Sequence, residues 1–580
     1  MRHSLYILLA SFLPLMANAD NISFLDNHVK SVCVQNWDTD ADGELSMEEA
    51  AAVAKLSTVF AFDTEIEHFP ELQYFTGLTS IGTYDFYSCK NLRSIILPSQ
   101  ITNIETSAFF GCLSLQEIDI PKTVTTISEY AFNGCSSLLY VTFHEGLVTI
   151  GDNAFNSCSS LRGIVIPSTV KSIALSAFWS CSALSSIIVD PANTIYDSRD
   201  NSNALIHTDT NTLQIGTSNT VIPETVTIIG ASAFYGNARL QTIVIPEGVN
   251  TVETSAFSGC TALYSVTLPS TLTTIDYGAF SGCKRLSGVV LPEGLKTIGQ
   301  LAFNNCTSLT EIVIPSTVTY IGMNAFAGIS RLTKVVAMNT TPISVFANAF
   351  PYRKKSTLYV PKGCREAYAN TSTWKDFSNI VELACGIAAA AEPEVIQEGV
   401  TPTLAISITN DDFFDYHSIT MDITLPRLFS LAAGDIVLSD RCTGMDVTLT
   451  PLENNSYRLT CSSESSSLSG TQGLIFTLPL QTTTSIPAGL YKGTVENATL
   501  ASKYGSMPLD GVDFSWNAVG YAMGDVNHDG DVSLTDVTLL VNYILGLNPA
   551  IIYLENADMD YDGEHGLTDV VSIVNIILGN

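Results

Sequence analysis

Apolar residues return along this chain on a beat of 23 residues. Phe86, Phe109, Phe132, Phe155 and Phe178 form one run, and Phe234, Phe257, Phe280, Phe303 and Phe326 form a second. Within one period, residues 112–132, apolar side chains fall at Leu115, Ile118 and Ile120, then Val124 and Ile127, then Ala131 and Phe132. The Ile-x-Ile alternation predicts a short strand with two residues facing inward. Pro121 ends it, because proline has no amide hydrogen to give to a ladder. One coil then closes through Val124, Ile127 and Phe132. A period of this size predicts a solenoid, in which each repeat is one supersecondary unit and stacking makes every apolar column continuous.

Eight cysteines keep the same beat. Cys89, Cys112, Cys135, Cys158, Cys181, Cys260, Cys283 and Cys306 each lie three residues after a phenylalanine, and after Phe234 the matching residue is Asn237. A side chain at such a corner serves the turn backbone, which predicts a buried thiol ladder. Disulfides are the competing expectation for an exported chain. The 56-residue gap between Phe178 and Phe234 predicts an expanded repeat over 182–233 with an inserted β-hairpin. After Phe326 the step slips to Phe350, and residues 351–384, with Tyr368, Trp374 and Phe377, read as a C-terminal cap, since a solenoid end must be covered.

The repeated Cys-x-x-Leu-x-x-Ile-x-Leu-Pro and Ala-Phe pattern over residues 65–384 resembles the BspA-like bacterial leucine-rich repeat family. The resemblance implies a right-handed solenoid with a parallel sheet on its concave face, and a secreted or surface-exposed bacterial protein. Several members are described as adhesins, so a host or microbial protein or glycan is the implied partner. The family motif is structural and carries over no binding residues. The outward strand positions run Ile96, Asp119, Thr142, Val165, Ile188, Val244, Thr267, Val290 and Val313. They fit a binding stripe or plain β-propensity. Tyr140 and Tyr264, beside those strands, are the candidate partner-binding aromatics.

Charge adds a second theme. The formal net charge is −31 although only 14% of residues are charged, because Lys and Arg are scarce and Asp is clustered. Nucleic acid is excluded as a partner, since phosphate binding needs a basic patch. The Asp clusters point to Ca2+ as cofactor. Residues 38–49 fit a twelve-residue calcium loop, with candidate ligands Asp38, Asp40, Asp42, Glu44 and Glu49 and Gly43 at the sharp turn. Two more loops lie at 525–536, with Asp525, Asn527, Asp529, Asp531 and Asp536, and at 558–569, with Asp558, Asp560, Asp562, Glu564 and Asp569. Each of these is followed by an amphipathic helix pattern ending in Ile-Leu-Gly.

This duplicated loop-helix, over residues 521–580, is similar to a type I dockerin. That resemblance implies a cohesin-type partner module. It also implies that loop positions 10 and 11, here Leu534 with Thr535 and Leu567 with Thr568, help to choose it. The second loop departs from the pattern at His565, where an apolar residue is expected, and at Gly566.

The expected organisation is a multidomain chain. Residues 1–19 read as a signal peptide, with Arg2 and His3, an apolar stretch from Leu5 to Met16, and Ala17-Asn18-Ala19 as cleavage site. No later apolar run is long enough to span a bilayer, so the chain is expected to be exported and soluble. Residues 20–64 form an EF-hand-like cap, 65–384 the leucine-rich-repeat solenoid, 385–398 a linker, 399–520 an all-β sandwich, and 521–580 a small α-helical calcium-binding module. The sandwich resembles, at a distance, cohesin-like and carbohydrate-binding sandwiches. Cys442 with Cys461 is the leading disulfide candidate and Cys364 with Cys385 the second. The eight histidines do not cluster and no catalytic motif appears, so no enzyme is expected. The functional expectation is adhesion or protein binding through the solenoid with a dockerin-like tether. The alternative is a non-catalytic part of a cohesin-dockerin assembly that degrades polysaccharide.

Overall fold

A typical 23-residue period folds into one coil carrying two short parallel strands. In the coil of residues 112–134 these are Glu117–Asp119 and Thr126–Ile127. The second strand pairs in parallel with its equivalents one period away, Asn103–Ile104 and Thr149–Ile150, in unshifted register. Stacking therefore turns a two-residue strand, which could not stand alone, into a five-stranded parallel ladder from Ser80–Ile81 to Ser172–Ile173. A second ladder joins Glu117–Asp119, Tyr140–Thr142, Gly163–Ile166 and Ser186–Val189. Inside the coil, Leu115, Ile118, Ile120, Val124, Ile127, Ala131 and Phe132 are all buried. Pro121 stands at the turn, where its carbonyl accepts the Val124 amide at 2.9 Å.

The structure is a computed structural model that describes residues 21–580 except 384, 397–399, 412–413, 483–485, 487, 520–521, 548–551, 561 and 580. The expected signal peptide, residues 1–19, lies outside the described residues. The chain divides into two compact units, Met1–Val381 and Glu382–Asn580.

Two stacks of phenylalanine form the spine of the first unit. Phe60, Phe86, Phe109, Phe132, Phe155 and Phe178 stack nearly parallel with centroids 5.1–5.5 Å apart. Phe234, Phe257, Phe280, Phe303, Phe326 and Phe350 do the same at 4.8–5.6 Å. Between the stacks, Ala204–His207 and Thr212–Gly216 form an antiparallel hairpin, and Thr212 and Leu213 then pair in parallel with Ile228 and Ile229 to resume the ladder. Gly216 must be glycine, because a Cβ there would stand 2.1 Å from the Phe234 ring.

The thiols form a ladder of hydrogen bonds. Each of the eight cysteines donates its Sγ hydrogen to a phenylalanine carbonyl of the preceding coil, as in Cys112 to Phe86 at 3.1 Å and Cys283 to Phe257 at 3.2 Å. Burial raises the pKa values of Cys112, Cys158, Cys260 and Cys306, and that of Cys181 to about 12, so these thiols stay protonated. None of the eight ladder cysteines is in a disulfide. Asn237 fills the vacant rung, its Oδ1 accepting the Arg239 and Leu240 amides.

Both ends of this unit are covered. Helices α1 (Asn27–Trp37) and α2 (Met47–Ala52) share the first core, with the Trp37 ring against Phe60 and Phe75. At the other end Tyr368, on α3 (Arg365–Asn370), and Trp374 and Phe377 are buried, the last two against Phe350.

Besides a two-stranded sheet of Phe429–Ser430 with Gln481–Thr482, the second unit holds two large, mainly antiparallel sheets. One runs Gly386–Glu392, Thr403–Thr409, Gln472–Pro479, Val437–Leu438. The other is seven-stranded and is centred on Gly489–Ser502 and Tyr416–Thr424. The expected linker at 385–398 is corrected here: Gly386–Glu392 is a strand paired at every residue with Thr403–Thr409. Its alanines fit an edge position, which needs one partner only, and Pro393 merely ends the strand. The chain closes with α4 (Leu534–Ile544) and α5 (Leu567–Leu578) around Val526, Leu540, Ala557, Val570 and Ile573.

Candidate functional site: paired acidic loops on two helices

The loop at 525–536 is organised by its own carboxylates. Asp525 is fully buried and accepts the amides of Asp529 and Gly530 at 3.2 and 2.9 Å. Asn527 Oδ1 accepts the Asp529 amide and Asp529 Oδ1 that of Asp531. Asp536, also buried, closes the ring by accepting Val526, Asn527 and Ser533 amides at 2.9, 3.3 and 2.8 Å. The last of these caps α4. Gly530 has φ 96°, a region that favours glycine, so the turn needs it.

The loop at 558–569 repeats this plan thirty-three residues later. Asp558 accepts the Asp562 and Gly563 amides at 3.1 and 3.0 Å, Asp562 that of Glu564, and buried Asp569 those of Met559 and Gly566 at 2.6 and 2.8 Å. Asp558, Asp560 and Asp569 bring oxygens within 4.8 Å of one another. The two departures noted in the sequence are accommodated. His565 is half-buried, with Nε2 3.0 Å from the Leu554 carbonyl, and Gly566 caps α5 through its amide.

The two loops are tied together by a residue that the sequence did not single out. Asn556 is fully buried and donates from Nδ2 to the Asp525 carbonyl at 3.0 Å, while its own carbonyl accepts the Gly524 amide. The Tyr553 amide donates to Val526. No spacing rule marks such an asparagine, because its role depends on the second loop folding back on the first.

The N-terminal loop at 38–49 has the same internal wiring. Asp38 accepts the Ala41 and Gly43 amides, Asp40 that of Asp42, and Asp42 that of Glu44. Asp38, Asp40 and Asp42 converge within 4.8 Å. Glu49 accepts Ser46 and Thr39 hydrogen bonds, which hold its pKa down at about 2. Asp40 is shifted up: the Asp42 amide opposes the shift, but burial and the charges of Asp42, Glu49 and Asp38 outweigh it. The side chain of Glu44 is drawn away to Lys30. All three loops offer hard oxygen donors on a turn that brings them together, a set that fits Ca2+ and not a soft metal.

The residues at loop positions 10 and 11 do not enter the loops. Leu534 and Leu567 are 69% and 76% exposed, and Thr535 and Thr568 are exposed beside them. Leu545 and Leu578, at matching places near the ends of the helices, are also exposed. The module therefore leaves apolar surface uncovered at both ends of its two helices.

On the solenoid, Tyr140 and Tyr264 are exposed, but Tyr140 lies in the strand Tyr140–Thr142 before the hairpin and Tyr264 directly precedes the strand Ser265–Thr267 after it, in a different sheet. In the outward column Ile96, Val165, Ile188 and Val244 are exposed, while Val313 is buried, so the stripe is not continuous. Of the disulfide candidates, Cys364 lies in the first unit, and Cys385 in the second contacts Asp411 and Tyr416.

Residues 59–195 and 213–369 match the BspA type leucine rich repeat region, in six copies, and residues 523–578 match the dockerin type I domain. The chain belongs to the BspA-type leucine-rich repeat family and carries a dockerin domain at its C-terminal end. Both are binding and scaffolding modules. No curated protein matches. Among solved structures it is similar to the pneumococcal vaccine antigen PcpA, at 23% identity over 53% of this chain and 77% of that one, TM-score 0.44. It is also similar to a leucine rich cell surface protein of Faecalibacterium prausnitzii, at 31% identity over 45% and 77%, TM-score 0.38. A cohesin module from a Clostridium perfringens family 33 glycoside hydrolase matches at 12% identity over 23% and 97%, TM-score 0.21. Among the described residues no helix is long and apolar enough to cross a membrane.

Proposed function

We propose that this is an exported bacterial binding protein, without catalytic activity, whose solenoid engages a protein or glycan and whose C-terminal tail docks onto a cohesin-type module. The observation that carries the tail's role is the matched pair of exposed Leu-Thr steps, Leu534-Thr535 and Leu567-Thr568, at equivalent places on two helices. Calcium, held by Asp525, Asn527, Asp529, Asp531 and Asp536 and by Asp558, Asp560, Asp562, Glu564 and Asp569, would fix those helix starts and so preform the face. Because the steps match, the partner could be gripped in either of two orientations related by a half-turn. Asp38, Asp40, Asp42 and Glu49 would hold a third ion that stiffens the N-terminal cap. Tyr140 and Tyr264 are the first positions to test on the solenoid.

The second reading is a non-catalytic component of a polysaccharide-degrading assembly. The dockerin domain favours it, because such a tail delivers whatever it carries to a scaffold. Capture with the full chain separates the readings. The immobilised protein is incubated with secreted and envelope proteins of the producing organism, with Ca2+ and with chelator, beside an Asp525→Ala/Asp558→Ala variant. A cohesin-bearing protein retained only with Ca2+, and lost with the variant, supports docking. Identical retention in chelator refutes it. Glycosidases among the retained neighbours favour the second reading.

A further inference from the structure

We propose that Cys442 and Cys461 form a disulfide that staples the two sheets of the second unit together. Cys442 ends the helical turn Asp440–Cys442, directly after Val437–Leu438, the edge strand of the four-stranded sheet. Cys461 lies on Ser456–Ser462 of the seven-stranded sheet, paired with Ile419. The two side chains are 1% and 0% exposed and close enough that each shifts the ionisation of the other, and the strand that follows Cys442 pairs with that of Cys461 through Val447.

Their backbones are fixed on both sides. The Arg441 guanidinium donates to the carbonyls of Ile408, Ser469 and Gly473 at 2.7, 2.7 and 2.9 Å, and to Asn410 Oδ1 at 2.6 Å. On the other side the Cys442 carbonyl accepts the Met445 amide, and Asp446 pairs with Ser462, the neighbour of Cys461. The contrast with the solenoid is chemical. There each thiol hydrogen is committed to a phenylalanine carbonyl, whereas Cys442 and Cys461 have each other. In the folded unit the proximity of Cys461, and then the charge of Arg441, lower the Cys442 pKa against the effect of burial.

Oxidation needs a disulfide-bearing oxidant such as oxidised glutathione or an oxidoreductase of the export route. The Cys442 thiolate attacks one sulfur of the oxidant, the oxidant's S–S bond breaks, and one thiolate leaves. Cys461, as its thiolate, then attacks the Cys442 sulfur and releases the second. Two protein thiols are oxidised, one oxidant disulfide is reduced to two thiols, and the two cysteine protons go to the departing thiolates. Because both sulfurs are buried in the folded unit, the exchange takes place before the sheets close.

Peptide mapping of the full chain tests this without relying on export or on any partner. Trypsin cleaves after Arg441, Arg458 and Lys492, which leaves Cys442 alone in 442–458 and Cys461 alone in 459–492. The protein is refolded with Ca2+ in reduced and oxidised glutathione, its free thiols are alkylated, and it is digested without reductant. The expected result is one species joining 442–458 to 459–492, separated by reductant, with the ladder cysteines alkylated. Recovery of both peptides unlinked and alkylated overturns the proposal, and so does linkage of either one to another cysteine. In Cys442→Ala the peptide 459–492 should be found alkylated; its linkage elsewhere would equally overturn the pairing.

Discussion

Replacing Phe257 by alanine should destabilise the solenoid by about 3–5 kcal/mol, the range for a large buried aromatic turned into a cavity. Phe257 is fully buried, with the rings of Phe234 and Phe280 on its two faces at 4.8 and 5.1 Å. Phe178 offers an internal comparison. It occupies the equivalent place at the end of the first stack and has one stacked neighbour, Phe155 at 5.3 Å. One lost aromatic pair is worth about 0.5–1.5 kcal/mol, so Phe178→Ala should cost less than Phe257→Ala by about that amount. Hydrogen exchange with mass spectrometry reads both locally. Amides such as that of Phe257, which donates to the Ala279 carbonyl, should exchange roughly two to three orders of magnitude faster in Phe257→Ala. The sheets and helices of the second unit should be unaffected. An effect below about 1 kcal/mol, or an equal cost at the two positions, would refute the reasoning that stacked rings form the spine.

Chelation of Ca2+ should abolish the helical circular dichroism contributed by α4 and α5 and restore it on readdition, since so small a core cannot fold without its metal; full helicity in excess chelator would contradict this. Leu534→Arg and Leu567→Arg should each leave cohesin binding within a few-fold of wild type while the double variant loses it; loss in one single variant alone would mean that one orientation is used. The Arg458 guanidinium, with Nε and Nη2 each 2.8 Å from Asp422, holds the Asp422 pKa below its ordinary value, helped by Asn497. This contribution is present above the ordinary aspartate range and is lost as pH falls through that range to the lower folded value. Arg458→Ala should therefore flatten the acid limb of the second unit's stability curve in guanidinium titrations, and an unchanged limb would show that the pair is inert.

What could be read ahead of the structure was what repeats. Phe132 and Cys135 announce their own burial because the same residues recur 23 positions on either side, and the acidic loops announce themselves through Gly530 and Gly563 at the place where only a left-handed turn fits. What could not be read depends on elements distant in sequence. The Ala-rich segment Gly386–Glu392 carries no strand signal of its own, since its order comes from the seven-residue ladder that Thr403–Thr409 offers. Asn556 acquires its role when the second loop folds onto the first. Val313 occupies an outward position by periodicity, yet it is buried, because near the end of a stack the neighbours are no longer copies of the repeat.

The thiol ladder has a consequence for how such a protein can change over generations. Every rung reaches back by one coil, and the acceptor is a backbone carbonyl that any residue supplies. Removing or duplicating one 23-residue unit therefore leaves every surviving thiol with an acceptor. A disulfide framework would instead strand a partner at each such event. The solenoid can lengthen or shorten by recombination between its near-identical units, in effect a reading frame of whole coils, while the caps at either end and the calcium loops of the tail stay unaltered.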